Sequence, residues 1–174
     1  MTTMNIETIR LTRQIVIDQM LKDLDLWETD ILEPSAGYGD LADGIKKKEP
    51  NCRIDCIELN RERHNELVSR GYWEAKCADF LKVTPTKLYD FVIATPTYKD
   101  NVDVEHIMHM YDFLKPEGKI ISLTYPAWIM GESERQVRFR TWLKDKKYSM
   151  KMLEDFSFIE NYKTQPSIIM EIIK

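Results

Sequence analysis

The sequence predicts an open α/β fold: a mostly parallel sheet with helices on both faces, closed by an antiparallel pair. Three observations predict it. Short β-prone runs alternate with stretches of helical period as far as about residue 147, and parallel neighbours need such crossovers. A loop with two glycines separates the first of these runs from the helix after it. The last two β-prone runs, residues 151–158 and 167–173, have no helical stretch between them, so they pair antiparallel.

Taken in order, residues 5–26 repeat apolar positions at Ile6, Ile9, Ile15, Val16, Met20, Leu21 and Leu24, a helical period. Residues 30–33 form a short strand that breaks at Pro34, and Gly37 and Gly39 make a loop before a helix opening at Leu41. The next strand covers 53–58. Asn60 can cap the helix over 61–70, and Gly71 ends it. A third strand fits 73–78 and a fourth 89–94. The helix over 102–114 is closed by Lys115-Pro116-Glu117-Gly118, ahead of a fifth strand at 119–124. Ser133 and Gln136 have the spacing of a capping box, opening a helix to about 147.

At 174 residues the chain suits one domain, 1–174, with a helical segment 1–28 ahead of a core 29–174. An apolar share of 43% and a charged share of 31% are those of a globular chain, not a disordered one. A net charge of -4 gives no global drive toward nucleic acid, so any such binding needs a local patch. Three cysteines, an odd number, with no secretory leader ahead of them, point to reduced thiols and a cytoplasmic protein. Their spacing spells neither a zinc ribbon nor a redox pair, and all three read as small core residues. His106 and His109 can share a helix face, but no third metal ligand accompanies them. No apolar run reaches membrane-spanning length.

In open parallel sheets, ligands bind beyond the carboxyl ends of the strands. The informative residues are therefore at 33–39, 58, 78–80 and 95–98. Gly37 and Gly39 permit close backbone approach, and the helix behind them offers free N–H groups. No Gly-Lys-Ser/Thr follows, and the third glycine of a dinucleotide fingerprint is missing. Glu33, just before the loop, suits a ligand with positive charge. Glu58, ending the second strand, can accept from ribose hydroxyls. Asp79 can accept from the exocyclic amine of an adenine while Phe80 packs on its ring. Together these point to a cationic ligand with a ribose and an adenine, the description of S-adenosylmethionine.

On these residues the sequence resembles the class I methyltransferases, and within them the adenine-N6 DNA methylases and their relatives. Glu33-Pro34-Ser35-Ala36-Gly37-Tyr38-Gly39 resembles the group's first motif, Glu58 and Asp79-Phe80 the next two, and residues 104–118 the helix and turn after the catalytic loop. The resemblance covers nearly the whole chain. It implies a Rossmann-like fold of seven strands with the last antiparallel, S-adenosylmethionine as cofactor, and a cofactor site of Glu33, Pro34, Ser35, Ala36, Gly37, Gly39, Glu58, Leu59, Asp79, Phe80 and Thr95. Its catalytic tetrapeptide is Asn, Asp or Ser, then Pro-Pro, then an aromatic residue. Here Thr95, Pro96, Thr97 and Tyr98 stand there.

The resemblance implies that Thr95 and the Pro96 carbonyl accept from the target amine while Tyr98 stacks on a flipped base. Thr95 is shorter than Asn or Asp, and Thr97 gives up the second fixed φ of the proline pair. Two expectations follow. One is a working methyltransferase acting on an amine of a nucleic-acid base. The other is a methylase-like protein that binds S-adenosylmethionine, nucleic acid or a protein partner without transfer. No added target-recognition region is visible, which leaves four routes to a DNA or RNA acceptor: a single strand, an RNA, a homodimer, or a partner protein that supplies recognition. Arg135, Arg138, Arg140, Lys144, Lys146, Lys147 and Lys151 are the candidate phosphate patch or else a solvated helix face. Tyr125 and Trp128 stack on a base or pack the loop. Thr12-Arg13 stands where relatives often have Thr-Pro ahead of a helix covering the cofactor's methionine end.

Overall fold

The computed structural model describes the backbone of residues 6–160 and 163–174 and the side chains of residues 14–153 and 166–174. Thr12 and Arg13 lie outside the described side chains, as do residues 154–158 of the expected strand.

The elements run α1 (Ile6–Leu21), β1 (Asp30–Glu33), α2 (Asp40–Lys48), β2 (Arg53–Glu58), α3 (Arg61–Ser69), β3 (Lys76–Cys77), β4 (Tyr89–Ala94), α4 (Val102–Met110), β5 (Leu114–Thr124), α5 (Ala127–Met130), α6 (Glu134–Leu143), β6 (Lys147–Glu160) and β7 (Lys163–Ile173). The sheet has seven strands in the order β3-β2-β1-β4-β5-β7-β6. All neighbours are parallel except the two that β7 makes, with β5 and with β6. The antiparallel strand is therefore inserted inside the sheet, and β6, not β7, forms its edge.

Alternation along β1 and β4 builds both faces of the core. Leu32 and Val92 join Val104, Ile107, Phe139 and Leu143 of α4 and α6 on one face. Ile31 and Ile93 join Val16, Ile17, Leu41 and Ile45 of α1 and α2 on the other. A strand buried on both faces reads as a continuous apolar run, which is why these strands stand out in the sequence. Asn60 caps α3 as expected, its side chain accepting from the amides of Glu62 and Arg63. The Ser133–Gln136 capping box forms in full.

Several expected boundaries move. The helical run expected over 5–26 ends at Leu21. The helix expected to about 147 ends at Leu143, because residue 147 already pairs in β6, which opens four residues earlier than expected. The third strand shrinks to two residues because it pairs only with Ile57 and Glu58 at the end of β2, leaving Trp73 exposed. The helix expected over 102–114 ends as α4 at Met110 and gives way to a 3-10 turn, Tyr111–Phe113. Lys115-Pro116-Glu117-Gly118 is not a turn ahead of the fifth strand but an irregular stretch inside it. Glu117 sits at φ 63, and a Cβ on Gly118 would meet the Lys115, Tyr89 and Asp90 carbonyls at 2.9, 3.0 and 3.1 Å. This kink turns the Lys115 ammonium toward Asp30 and Asp90.

Candidate functional site

The carboxyl ends of β1, β2 and β3 bring most of the expected cofactor residues together. After Glu33 the chain leaves β1 through Pro34 and Ser35, and the Ala36 amide donates to the Ile57 carbonyl at 3.0 Å. The Gly37 amide donates to Glu58 Oε2 at 2.8 Å, and the Asn60 amide to Glu58 Oε1 at 2.8 Å. One carboxylate thus fastens the loop after β1 to the turn after β2. Each of its oxygens keeps a lone pair for a further donor. Leu59 beside it is 69% exposed.

The two glycines do different work. Gly37 is at φ 57, and a Cβ there would meet nothing within 4 Å, so its backbone faces open space. Gly39 is at φ 91, and its Cβ would lie 2.9 Å from Leu67 Cδ2, so it is required by the packing of α2 against α3. The Arg70 guanidinium secures the loop by donating to the Tyr38 carbonyl and to Asp43.

Glu33 is 1% exposed. It accepts from the Ala42 amide at the start of α2, while its Oε2 is buried with no hydrogen-bond partner. Burial pushes its carboxyl well above the usual carboxylate range. The carboxylates of Asp40, Asp43 and Glu58 add to that push, and the Ala42 amide opposes it.

Asp79 stands at the end of β3, capping the 3-10 turn Phe80–Lys82 by accepting from the Leu81 amide and pairing with Lys82 at 3.1 Å. The Phe80 ring turns into the core, where its centroid lies 5.3, 4.8 and 5.1 Å from those of His106, His109 and Phe113. His106 Nδ1 lies 3.1 Å from Ser35 Oγ, tying α4 to the loop after β1. Burial pulls its imidazole down to about 4, against the pull of Asp79, so it is neutral at pH 7. His109 instead meets the Val83 carbonyl at 2.9 Å. Among the described residues, no group of three His, Cys, Asp or Glu is placed to hold a metal. Cys52 and Cys56 are buried, while Cys77 is half-exposed.

The end of β4 is packed more closely. Thr95 is half-buried, Pro96 buried and Thr97 exposed. Tyr98 is buried: its hydroxyl lies 3.1 Å from Ser167 Oγ, and its ring stacks on Tyr125 at 5.8 Å and 28°. Tyr125 is half-buried, with its amide held by Asp103 Oδ2 at 3.0 Å. Asp103 is itself buried and also accepts from Thr124 Oγ1 at 2.6 Å. Trp128 is buried, edge-on to Phe139.

The basic cluster is largely spent within the chain. Arg135 and Arg138 both pair with Glu105, Arg140 donates to the Trp128 and Gly131 carbonyls, and Lys151 donates to Gln19. Lys146 lies over the rings of Tyr111 and Trp142. Lys144 and Lys147 are exposed. Among the described residues no helix is long and apolar enough to cross a membrane.

Sequence reasoning missed His106 as a partner of Ser35, Asp103 as the anchor of Tyr125, and Arg70 as the clasp of the glycine loop. Asp103 carried a signal, an acid in the first turn of a helix. The other two contacts span 71 and 32 residues and left no local trace.

No protein-family model matches the chain, and no curated protein matches it. Solved structures do. One, from Listeria monocytogenes, is a proposed class I S-adenosylmethionine-dependent methyltransferase, 13% identical, with a TM-score of 0.68 over 98% of this chain and 60% of that one. The chain thus spans about 60% of that structure's length. The N-methyltransferase NodS from Bradyrhizobium japonicum is 13% identical, with a TM-score of 0.66 over 98% of both chains. The plantazolicin methyltransferase BpumL, solved with a monoazolic desmethylPZN analogue and SAH, is 12% identical, with a TM-score of 0.60 over 97% of this chain and 84% of that one. What is shared is the fold: a Rossmann-like, mostly parallel seven-stranded sheet closed by an antiparallel hairpin.

Proposed function

We propose that the chain is an S-adenosylmethionine-dependent methyltransferase that acts on an amine, with an amine of a nucleic-acid base as its acceptor. The observation that carries this is Glu33: a buried carboxyl with an unpartnered oxygen, at the strand ends of a fold shared with methyltransferases. The other groups fit the same cofactor. Gly37 leaves its side of the loop open, Glu58 has lone pairs left for ribose hydroxyls, and Asp79 can accept from the adenine amine. Leu59 is an exposed apolar contact for the ring. When bound, S-adenosylmethionine supplies an electrophilic methyl group on a positively charged sulfur.

On the acceptor side, Thr95 Oγ1 and the Pro96 carbonyl accept from the incoming amine and fix its approach. For an in-line displacement, such alignment supplies much of the rate. Because Tyr98 is buried, the aromatic contact with the acceptor falls to Tyr125. The nucleic-acid acceptor is supported by the residues at 33–39 and 95–98 that resemble adenine methylases. With most of the cations at 135–151 paired internally, a single strand or a partner-presented base suits this surface better than duplex binding by charge alone.

Burial of Tyr98 favours a second reading, a protein that holds the cofactor without transfer. Calorimetry with S-adenosylmethionine, followed by transfer of a tritiated methyl group to DNA, RNA and protein, separates the two. Binding with label in nucleic acid is the expected result. Binding with no label in any polymer would overturn the nucleic-acid acceptor, and no heat at millimolar ligand would sink both readings.

A further inference from the structure

We propose that Arg135 and Gln136 are positioning residues for the acceptor: from the first turn of α6 they clamp a left-handed bend after Tyr98, and through that bend they fix both acceptor loops. This role rests on the methyl-transfer reading above. It also gives a physical task to two members of the 135–151 cluster that phosphate binding leaves without one.

The bend lies at Asp100 and Asn101, with φ and ψ of 55 and 25 at the first and 57 and 33 at the second. Among the described residues no other neighbouring pair is left-handed. Asp and Asn tolerate that region better than most side chains, but two in succession persist only where their surroundings hold them. Here α6 does so. Arg135 Nη1 donates to the Asp100 carbonyl at 2.7 Å, and Gln136 Nε2 donates to Asn101 Oδ1 at 2.9 Å. The Gln136 side chain is fixed in turn: it is buried, and its Oε1 accepts from the Ser133 amide at 3.2 Å. A Cβ on Gly131 would run into it, so glycine is required beside it. Arg135 is steadied by Glu105, its Nε lying 3.2 Å from the carboxylate.

The bend reaches the acceptor groups in two directions. Backward, the Asn101 backbone amide donates to the Tyr98 carbonyl at 3.1 Å, closing the turn that follows the tetrapeptide. Forward, it sets the start of α4 so that Asp103 meets Thr124 Oγ1 and the Tyr125 amide. The same helix α6 holds the loop after β5, where Arg140 donates to the Trp128 and Gly131 carbonyls. α6 thus ties together the loops after β4 and β5, and a shift of its first turn moves Thr95, Pro96 and Tyr125 together. An in-line transfer loses much of its rate to displacements of about 1 Å.

The test is residue-resolved amide exchange, together with transfer of a tritiated methyl group, on the full chain. Asn101→Gly permits the left-handed bend but loses the acceptor for Gln136, Arg135→Ala loses the hold on Asp100, and Asn101→Asp keeps both bend and acceptor. We expect the Tyr125 amide to exchange about fivefold faster in the first two, the weight of one hydrogen bond, and at its original rate in Asn101→Asp. The Gly37 and Asn60 amides at the cofactor end keep their rates in all three, which also shows that each variant is folded. Transfer to nucleic acid at saturating S-adenosylmethionine falls about 10–100-fold in Asn101→Gly and Arg135→Ala, with cofactor affinity unchanged, and Asn101→Asp retains it. Arg138→Ala removes a charge that also pairs with Glu105 but makes no contact with the bend, and it leaves transfer as it was. An equal loss of transfer there would assign the effect to phosphate contacts and overturn the clamp. An unchanged Tyr125 rate in both Asn101→Gly and Arg135→Ala would overturn it too. In the unsubstituted chain, a Gln136 side-chain amide that exchanges as fast as a free one sinks it without any variant. Cofactor binding with no transfer to nucleic acid by the unsubstituted chain sinks the proposed acceptor instead, and the exchange rates alone then decide the clamp.

Discussion

Asp30 and Glu33 are the first and last residues of β1, carry the same functional group, and are held in opposite states. Asp30 lies among cations: Arg53 at 2.8 Å, Lys115 at 3.1 Å and Lys87 at 3.2 Å. Its hydrogen bond from Arg53, backed by the two lysines against a smaller opposing effect of burial, holds its carboxyl well below the usual range. Asp90 next to it is lowered too: burial opposes, but Lys115 and the Asp30 amide outweigh it. At the other end of the sheet Glu33 is raised, and Glu58 leans on backbone amides alone. Among the described residues, Asp30 and Asp90 at one end of the sheet pair with cations, and Glu33 and Glu58 at the other pair with none. Carboxyls shifted upward by burial are enriched at functional sites, whereas depressed, cation-paired ones are common in structural networks.

The strongest way to break this contrast is to remove one carboxylate from each end. Glu58→Ala takes away the acceptor of the Gly37 and Asn60 amides together with the proposed contact to ribose. It is expected to weaken cofactor binding about 100-fold, the equivalent of one or two charge-assisted hydrogen bonds, measured by calorimetry. Asp30→Asn should leave that affinity unchanged and cost about 2 kcal/mol of stability, a loss of several degrees in Tm. If Asp30→Asn lowered affinity as much as Glu58→Ala, the division of labour between the two ends would be wrong.

The pH dependence sharpens the same contrast because the two signs differ. Asp30 has a depressed folded-state pKa, so its stabilisation is present above its unfolded value of about 3.9 and is lost as the pH falls toward the folded one. Glu33 has a raised pKa, so its contribution is full below about 4.3 and is lost as the pH rises toward the folded value. Thermal melts of Glu33→Gln and the unsubstituted chain should therefore coincide near pH 4. They should diverge above it in favour of the variant, by up to about 1.4 kcal/mol per pH unit.

Much of this was legible in the sequence, for reasons that differ by region. β1, β2 and β4 keep their expected limits because the apolar residues at their carboxyl halves stop at clear signals, Pro34, Asn60 and Pro96. The position of the glycine loop, Glu58 and Asp79 at the carboxyl ends of β1, β2 and β3 was legible because it follows from the strand limits. What was not legible depended on side-chain direction. Nothing local says that Phe80 turns under His106 and His109, or that Tyr98 reaches across to Ser167, 69 residues on. The placing of β7 between β5 and β6 was equally silent, because a hairpin sequence states that two strands pair but not which of them meets the sheet.

The smallest expected effect bears on the least legible residue. Tyr98→Phe keeps the ring on Tyr125 and removes the hydroxyl from Ser167, leaving a buried serine one partner short. The cost should be about 1 kcal/mol, read as a fall in Tm of about 2–4 °C. If Tyr98 serves through its ring, by packing Tyr125 into place, methyl transfer by the folded fraction should be unchanged. Tyr125→Leu should then reduce transfer without altering cofactor affinity. A Tyr98→Phe variant that melts normally but loses transfer would mean that the hydroxyl itself works at the acceptor, and that the tight packing at the end of β4 is the closed form of a site that opens.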